Sequence, residues 1–263
     1  MHNEVAFPLH AARGAAYLTA PNIAARHAFS TRLGGVSTGV LESLNLSVRR
    51  GDTPENVREN WRRLGAAAGL DLTRAVYAQQ VHSAEVRIAH AADAQPPELE
   101  PRFACDGFVT NEPGVPLAVF MADCLPVLLH DPAAGVIGAV HCGWRGSVAD
   151  ILGAAVAQMC ALGAHPADIG PGIGACCFEV GPEVVAAAEA LLHAPLGALA
   201  RPRADGKALL DLKGVNARRL VQLGVPAGQI TVSDACTMCR PDVFWSHRAT
   251  DGRRGVQAAV ITL

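Results

Sequence analysis

The chain has 263 residues, half of them hydrophobic, and a formal net charge of −2 at pH 7. This length suits one large domain or two small ones with a substantial core, and the absence of basic clusters argues against a nucleic acid partner. No apolar run reaches the roughly 20 residues of a membrane span, and the amino terminus lacks a signal pattern, so we expect a cytoplasmic protein without a membrane partner.

The predicted elements mix strands and helices without a strict repeat. In chain order they are a strand and long loop over 26–50, a helix over 55–69, strands over 75–81 and 85–89, a loop over 90–103, strands over 107–141, a helix beginning near Ser147, helices over 182–192 and 212–223, and two strands over 244–263. Ser147 and Asp150 form a Ser-x-x-Asp capping pattern before an apolar stretch. With no repeat or linker, we predict an α+β fold in a single domain, 1–263, with mixed sheets and helices packed outside.

Eight cysteines lie between residues 105 and 239. A disulfide-rich secreted protein is usually much shorter, so we expect a reducing compartment and mostly unpaired thiols. Cys236 and Cys239 form a Cys-x-x-Cys pair. Because no second pair of that spacing accompanies it, packing is favoured over a second zinc site.

Three segments place a potential metal ligand at the end of an apolar strand. These ligands are His82, Cys124 and His141. Two imidazoles and a thiolate suit zinc and leave a fourth position for water. Their sequence separation does not itself unite them, and taken singly each residue is more often a packed or hydrogen-bonded core residue.

A fourth segment, 169–181, is rich in glycine and contains Glu179. Its glycines allow a close backbone approach to a ligand, and Glu179 is a candidate proton shuttle. The alternative is a tight turn that leads into a helix, because the segment lacks the dinucleotide-binding fingerprint.

Five ordered motifs resemble the YfiH family, whose members are also called laccase-domain proteins, purine nucleoside phosphorylase-like proteins or peptidoglycan editing factors. The resemblance extends from about residue 25 to the end and includes the tail from Cys236 to Arg248. The motifs are Phe29–Ser37, Leu44–Ser47, Gln80–His82, Ala122–Val127 and His141–Gly146.

The resemblance implies a single α+β domain with layered mixed β-sheets and one zinc ion per chain at the positions of His82, Cys124 and His141. It also implies phosphorolysis of adenosine, inosine and methylthioadenosine, and deamination of adenosine, with a purine nucleoside and phosphate as partners. The chain departs from the common family pattern at Gly172, Cys142 and His247, none of which is a proposed ligand.

Three other functions stay open. The editing-factor name implies an amidase acting on peptidoglycan precursors, with a metal-activated water or with Cys124 as nucleophile. A non-catalytic metal-binding module is another alternative. The laccase name implies a copper polyphenol oxidase, which is disfavoured because no His-x-His pair occurs in the chain.

Deamination requires a carboxylate to move protons to the leaving ammonia. Asp123, next to Cys124, is the first candidate and Glu179 is the second. Strand alternation would point Asp123 to the face opposite Cys124, which counts against Asp123 unless a bulge intervenes.

Phosphorolysis requires an anion site. Arg32, in a glycine-flanked loop, and Arg145, four residues after His141, can offer forked donors to phosphate. Asn45 and Ser47 are candidates for hydrogen bonds to ribose or phosphate. The alternative for each arginine is a surface ion pair.

Overall fold

The computed structural model describes residues 4–164, 168–169 and 172–263. Its helices are α1 (Pro54–Ala68), α2 (Trp144–Val148), α3 (Ile151–Ala161), α4 (Pro182–Leu192), α5 (Leu212–Gln222) and α6 (His247–Thr250). Its strands are β1 (Glu4–Val5), β2 (Leu9–Ala12), β3 (Ala15–Leu18), β4 (Arg26–Ser30), β5 (Ala78–Gln79), β6 (Val86–Ile88), β7 (Phe103–Ala104), β8 (Gly107–Thr110), β9 (Leu117–Met121), β10 (Leu125–Asp131), β11 (Val136–Cys142), β12 (Asp168–Ile169), β13 (Glu179–Val180), β14 (Ala200–Pro202), β15 (Ala208–Leu210), β16 (Val232–Ser233) and β17 (Gln257–Thr262).

Two large sheets form the centre of the molecule. The seven-stranded sheet has the order β1-β16-β12-β10-β11-β8-β6 and mixes parallel and antiparallel pairs. The five-stranded sheet has the order β2-β3-β4-β17-β9 and is antiparallel. Smaller sheets are formed by β13-β15-β14 and by β5-β7. The predicted α+β class with mixed sheets is confirmed.

Alternate side chains of the strands point to opposite faces of each large sheet. The two sheets and the helices outside them therefore form four layers. In β10, Val127 and Leu129 pack in a cluster with residues of α3, α4 and α5, whereas Leu128 packs in the cluster between the two large sheets. In β17, Ile261 joins that central cluster, and Val260 packs on the opposite face with residues of α1. Because these strands are covered on both faces, they are nearly continuous apolar runs.

Local capping residues determine where helix α1 begins and ends. The Thr53 hydroxyl accepts a hydrogen bond from the Asn56 amide, Pro54 occupies the first turn, and Gly69 ends the helix at φ 68°. Trp61 and Leu64 are buried against the five-stranded sheet. None of the described helices is long and apolar enough to cross a membrane.

The predicted helix start near Ser147 is wrong. Ser147 lies inside α2, and its hydroxyl accepts a hydrogen bond from Asn216. Helix α3 instead begins after Asp150, whose carboxylate accepts from the Gly153 amide and whose φ is 64°. Asp150 therefore caps α3 by itself, and Ser147 is an interior residue of α2.

The prediction of two strands over 244–263 is also wrong in its first half. The Ser246 hydroxyl accepts from the Ala249 amide and starts the short helix α6. Asp251, at φ 49°, ends that helix, so only β17 is a strand. The capping potential of serine outweighs the strand propensity of the aromatic residues before it.

Candidate metal centre and its cleft

Three strand-end segments bring His82, Cys124 and His141 to one place. His82 follows β5, Cys124 lies between β9 and β10, and His141 is in β11. Their potential ligand atoms lie within 4.8 Å of one another, and Cys124 Sγ is 3.8 Å from His82 Nε2. The structure therefore brings together the three residues that the sequence proposed as ligands.

The Asp106 carboxylate holds the backbone next to His82 and the ring of His141 in position. Its carboxylate accepts hydrogen bonds from the backbone amides of Val81, His82 and Ser83 at 3.2, 3.0 and 2.8 Å, and from the Ser83 hydroxyl at 2.9 Å. His141 Nδ1 lies 2.9 Å from the same carboxylate. A carboxylate accepts only, so Nδ1 carries a proton, and a metal would bind this ring at Nε2 in exchange for the proton there.

The electrostatics of the centre favour ionised groups. Burial alone would raise the pKa of Asp106, but the hydrogen bonds from His141 and Ser83 hold it at about 2. Burial also opposes the charge on Cys124 and on His141, yet their mutual attraction lowers the pKa of the Cys124 thiol to about 6 and raises that of His141 to about 9. The thiolate that a metal requires is therefore favoured before any metal binds.

The backbone around the centre is in rare conformations. His82 has φ 61° and Asp123 has φ 86°, the left-handed region that non-glycine residues seldom adopt. At Gly143 a Cβ atom would lie 2.9 Å from His82 Cδ2 and 3.1 Å from Cys124 Sγ. Residue 143 must therefore be glycine if both side chains are to hold their positions.

The donor set fits zinc. Imidazole nitrogens and thiolates are zinc ligands, and three protein ligands leave a fourth position open. The centre borders a cleft with a volume of about 300 Å³. The cleft is lined by Ser47, Val48, Arg49, Arg50, Tyr77, Ala78, Gln79, Gln80, His82, Pro97, Leu99, Pro101, Phe120, Met121, Ala122, Cys124, His141, Arg254 and Val256.

Arg254 places a positive charge inside this cleft. Its side chain is buried, one Nη donates to the Gly255 carbonyl at 3.1 Å, and the other lies 3.3 Å from His247 Nδ1. Its Nε has no hydrogen-bond partner among the described residues. Burial and the neighbouring Arg50 lower the pKa of Arg254 to about 10, so it stays charged at neutral pH. An unpaired buried donor on a cation is suited to an anionic ligand.

The predicted substrate-binding residues Asn45 and Ser47 lie at one side of the cleft, and only Ser47 lines it. Ser47 lines it, with its hydroxyl accepting from the Arg49 amide at 3.3 Å. Asn45 is fully buried, accepts from the Val256 amide and donates to the Ser47 carbonyl and to Asp52. Asn45 therefore supports this side of the cleft and does not line it.

The predicted phosphate-binding arginines lie outside the cleft. The Arg32 guanidinium donates to the carbonyls of Glu42 and Pro241 and stacks 4.0 Å from the Trp245 ring centre. Arg145 is exposed and lies 4.4 Å from the ring centre of Trp144. Neither arginine is among the residues that line the cleft.

The two predicted proton-transfer carboxylates have protein partners elsewhere. Asp123 accepts from the Thr237 hydroxyl at 2.6 Å and from the Arg248 amide at 2.7 Å, and it does not line the cleft. Glu179, in β13, pairs with Lys207 at 2.7 Å and Arg203 at 3.1 Å. In the glycine-rich segment before it, residues 170–171 lie outside the described residues.

Sequence reasoning missed Asp106, Arg50 and Arg254. Asp106 had a signal, because it is a lone carboxylate within the apolar stretch 103–110. Arg254 sits between Arg253 and Gly255, a surface-like pattern that hides its burial. No feature of the nearby sequence distinguishes Arg50 from Arg49 as a residue of the cleft.

Comparisons with known proteins identify the family and the fold of this chain. Residues 26–263 match the family described as "Multi-copper polyphenol oxidoreductase laccase". The chain is 44% identical over 256 residues to a "Purine nucleoside phosphorylase" of Deinococcus radiodurans, covering 96% of this chain and 94% of that one. It is 37% identical to "Adenosine deaminase RL5" of an unknown prokaryotic organism, covering 84% and 87%. The solved structure of YlmD from Geobacillus stearothermophilus superposes with a TM-score of 0.88 at 35% identity, covering 97% and 98%.

Proposed function

This chain belongs to the multi-copper polyphenol oxidoreductase laccase family, and we propose that it is a zinc-dependent purine nucleoside enzyme. The carrying observation is the convergence of His82, Cys124 and His141 at the edge of a cleft that contains a buried arginine. We propose phosphorolysis of adenosine, inosine and methylthioadenosine as its reaction, with deamination of adenosine as a second activity. Relatives named purine nucleoside phosphorylase and adenosine deaminase support this substrate class. We also propose that residues 1–263 form one catalytic domain.

We favour one zinc ion over the several copper ions of a laccase. A single thiolate and two imidazoles suit zinc, whereas the chain has no His-x-His pair of the kind that laccase copper sites use. When bound, zinc supplies a Lewis acid that polarises an oxygen or activates a water molecule. Asp106 fixes the orientation of His141 by accepting from Nδ1, which supports the ligand role of that ring.

The cleft has the size and the lining for a nucleoside. Its volume of about 300 Å³ lies at the lower end of the range for small-molecule sites. Leu99, Phe120 and Val256 supply an apolar wall for a purine base. Gln80 is locked against the Phe120 backbone by two hydrogen bonds of 2.6 and 2.7 Å, which keeps this wall rigid.

The charges in the cleft favour phosphorolysis. In this reaction a phosphate oxygen bonds to the ribose anomeric carbon, the glycosidic bond breaks, and its electron pair leaves with the base. Arg50 and Arg254 are placed to hold the phosphate. Deamination requires a carboxylate that moves protons to ammonia, and none of the described residues that line the cleft is Asp or Glu. We therefore expect phosphate-dependent cleavage to be the faster activity.

The test is mass-spectrometric product analysis with adenosine and inosine, with and without phosphate. We expect free base and ribose 1-phosphate when phosphate is present, and a smaller amount of inosine from adenosine. The matched control is Cys124→Ala, which should give neither product. Cleavage of a muramoyl-peptide without any nucleoside reaction would instead assign the protein to the amidase class.

A further inference from the structure

Four cysteines that the proposed reaction does not use meet at a second place. The potential ligand atoms of Cys176, Cys177, Cys236 and Cys239 all lie within 4.8 Å of one another. Cys239 Sγ is 3.5 Å from Cys176 Sγ and 3.4 Å from Cys177 Sγ. Because about 60 residues separate the two pairs along the chain, the fold itself has brought them together.

We propose that these four cysteines form a tetrathiolate metal site that holds one structural zinc ion. Four thiolates are the donor set of closed, non-catalytic zinc sites, in which one pair commonly has the Cys-x-x-Cys spacing. Cys236 and Cys239 have that spacing, and the adjacent Cys176 and Cys177 supply the second pair. Each ligand binds as a thiolate, so loading of the site releases the thiol protons to solvent. This proposal does not depend on the proposed catalytic function.

The backbone around the cluster is arranged for thiolates. The Gly174 amide donates to Cys236 Sγ at 3.2 Å, and amide donors of this kind stabilise ligating sulfur. A Cβ atom at Gly174 would lie 3.1 Å from Cys236 Cβ and 3.3 Å from Cys176 Sγ. Glycine at this position therefore leaves room for the converging sulfurs.

Packing does not explain the cluster. Unpaired structural cysteines are usually buried, but Cys176 and Cys239 are exposed and Cys177 is half-buried. A single disulfide from Cys239 to Cys176 or Cys177 would leave two of the four thiols without a role. A metal ion uses all four at once.

A positive charge lies beside the cluster. The Lys213 side chain is buried, and its ammonium donates to the carbonyls of Ser233 and Ala235 at 2.7 and 2.9 Å, just before Cys236. Four thiolates around a divalent cation carry a net charge of −2. The Lys213 charge offsets part of it.

The site joins two segments that support the catalytic centre. The Thr237 amide donates to the Gly172 carbonyl at 3.2 Å, and the Ile173 amide donates to the Asp123 carbonyl at 2.9 Å. The Thr237 hydroxyl also donates to the Asp123 carboxylate. Asp123 directly precedes Cys124, so a metal that clamps the two segments also fixes the position of that ligand.

The test is the zinc content of reduced, purified protein by elemental analysis. We expect about two zinc ions per chain for the wild type, and about one for the Cys124→Ala variant and for the Cys176→Ser/Cys239→Ser double variant. The matched control is Cys160→Ser, an exposed cysteine on α3, which should keep both ions. The double variant should also unfold at a lower temperature than the control.

X-ray absorption on the zinc-loaded His82→Ala/Cys124→Ala variant isolates the second site and requires no activity. We expect four sulfur neighbours at about 2.3 Å. A zinc-free His82→Ala/Cys124→Ala protein would overturn the proposal, even if the cysteine double variant fails to fold. A mass two hydrogens lower in non-reducing conditions, with no bound metal, would likewise overturn it and assign a disulfide instead.

Discussion

The two sulfur-containing clusters of this protein differ in what surrounds them. His82, Cys124 and His141 offer three donors beside a cleft of about 300 Å³. The cysteines at 176, 177, 236 and 239 offer four donors on two surface turns and do not line that cleft. Three donors leave a coordination position for substrate or water, whereas four close the site. We therefore propose a catalytic role for the first cluster and a structural role for the second.

Asp123 links the two clusters through hydrogen bonds and through its position in the chain. Its carboxylate and carbonyl are held by Thr237 and Ile173, which belong to the tetracysteine side, and the next residue is Cys124. Asp123 was predicted as a general acid or base, but this geometry suits a positioning role. Substitution of a ligand in the first cluster should therefore abolish activity. Substitution of a residue that positions such a ligand should only reduce activity, and the reduction should grow with the displacement of the ligand.

The largest effect is expected for Cys124→Ala. Loss of the thiolate leaves two imidazoles, so metal occupancy should fall and nucleoside turnover should drop by about 10³-fold or more, about 4 kcal/mol in transition-state stabilisation. Turnover and bound metal are measured on the same sample. Circular dichroism should show an intact fold, and near-normal turnover would refute the ligand assignment.

Asp106→Asn should have the next largest effect. The amide cannot accept equally well from three backbone amides, the Ser83 hydroxyl and His141 Nδ1, so metal affinity should fall about 10–100-fold. Affinity is measured by competition with a chelator. The matched control is Asp150→Asn, which breaks a 2.6 Å pair with Arg219 far from the cleft. The control should lower thermal stability and leave metal affinity unchanged.

Arg254→Met should weaken phosphate binding selectively. Loss of a buried charge-assisted donor costs about 2 kcal/mol, so KM for phosphate should rise about 30-fold, with little change in adenosine deamination. The matched control is Arg145→Ala, an exposed arginine stacked on Trp144. If Arg145→Ala instead loses phosphate dependence, then Arg145 is the anion ligand, as the sequence alone predicted.

Gly143→Ala should have the smallest effect. The added methyl group would lie 2.9 Å from His82 Cδ2, so that ring must shift by a few tenths of an ångström. We expect turnover to fall about tenfold, since small misplacements at reacting centres have large kinetic costs. Gly228→Ala, where a Cβ meets nothing within 4 Å, is the control. Equal effects of the two substitutions would show that the space at residue 143 is unimportant.

Much of the fold was predictable because its signals are local. The α1 helix has a threonine cap and a terminal glycine, and the central strands are long apolar runs. The errors arose where two local signals compete. Ser147 and Asp150 look like one cap but belong to two helices, and Ser246 starts a helix where aromatic residues favour a strand.

The candidate site was predictable only in part, because its residues are distant in sequence. The family resemblance united His82, Cys124 and His141, whose separation carries no information by itself. Arg32 and Arg145 have the right chemistry, but their stacking on Trp245 and Trp144 is a tertiary fact. A second zinc site was set aside because no second Cys-x-x-Cys pair accompanies Cys236 and Cys239. Cys176 and Cys177 reach that pair only through the fold.

We propose that the nucleoside chemistry of this protein depends on a metal at His82, Cys124 and His141. The direct measurement is adenosine phosphorolysis by metal-depleted protein as zinc is added back, with Cys124→Ala beside it and copper as the alternative metal. We expect that zinc restores activity to the wild type, that copper does not, and that Cys124→Ala stays inactive at every zinc concentration. Full activity in the metal-depleted wild type, or restoration by copper alone, would contradict it.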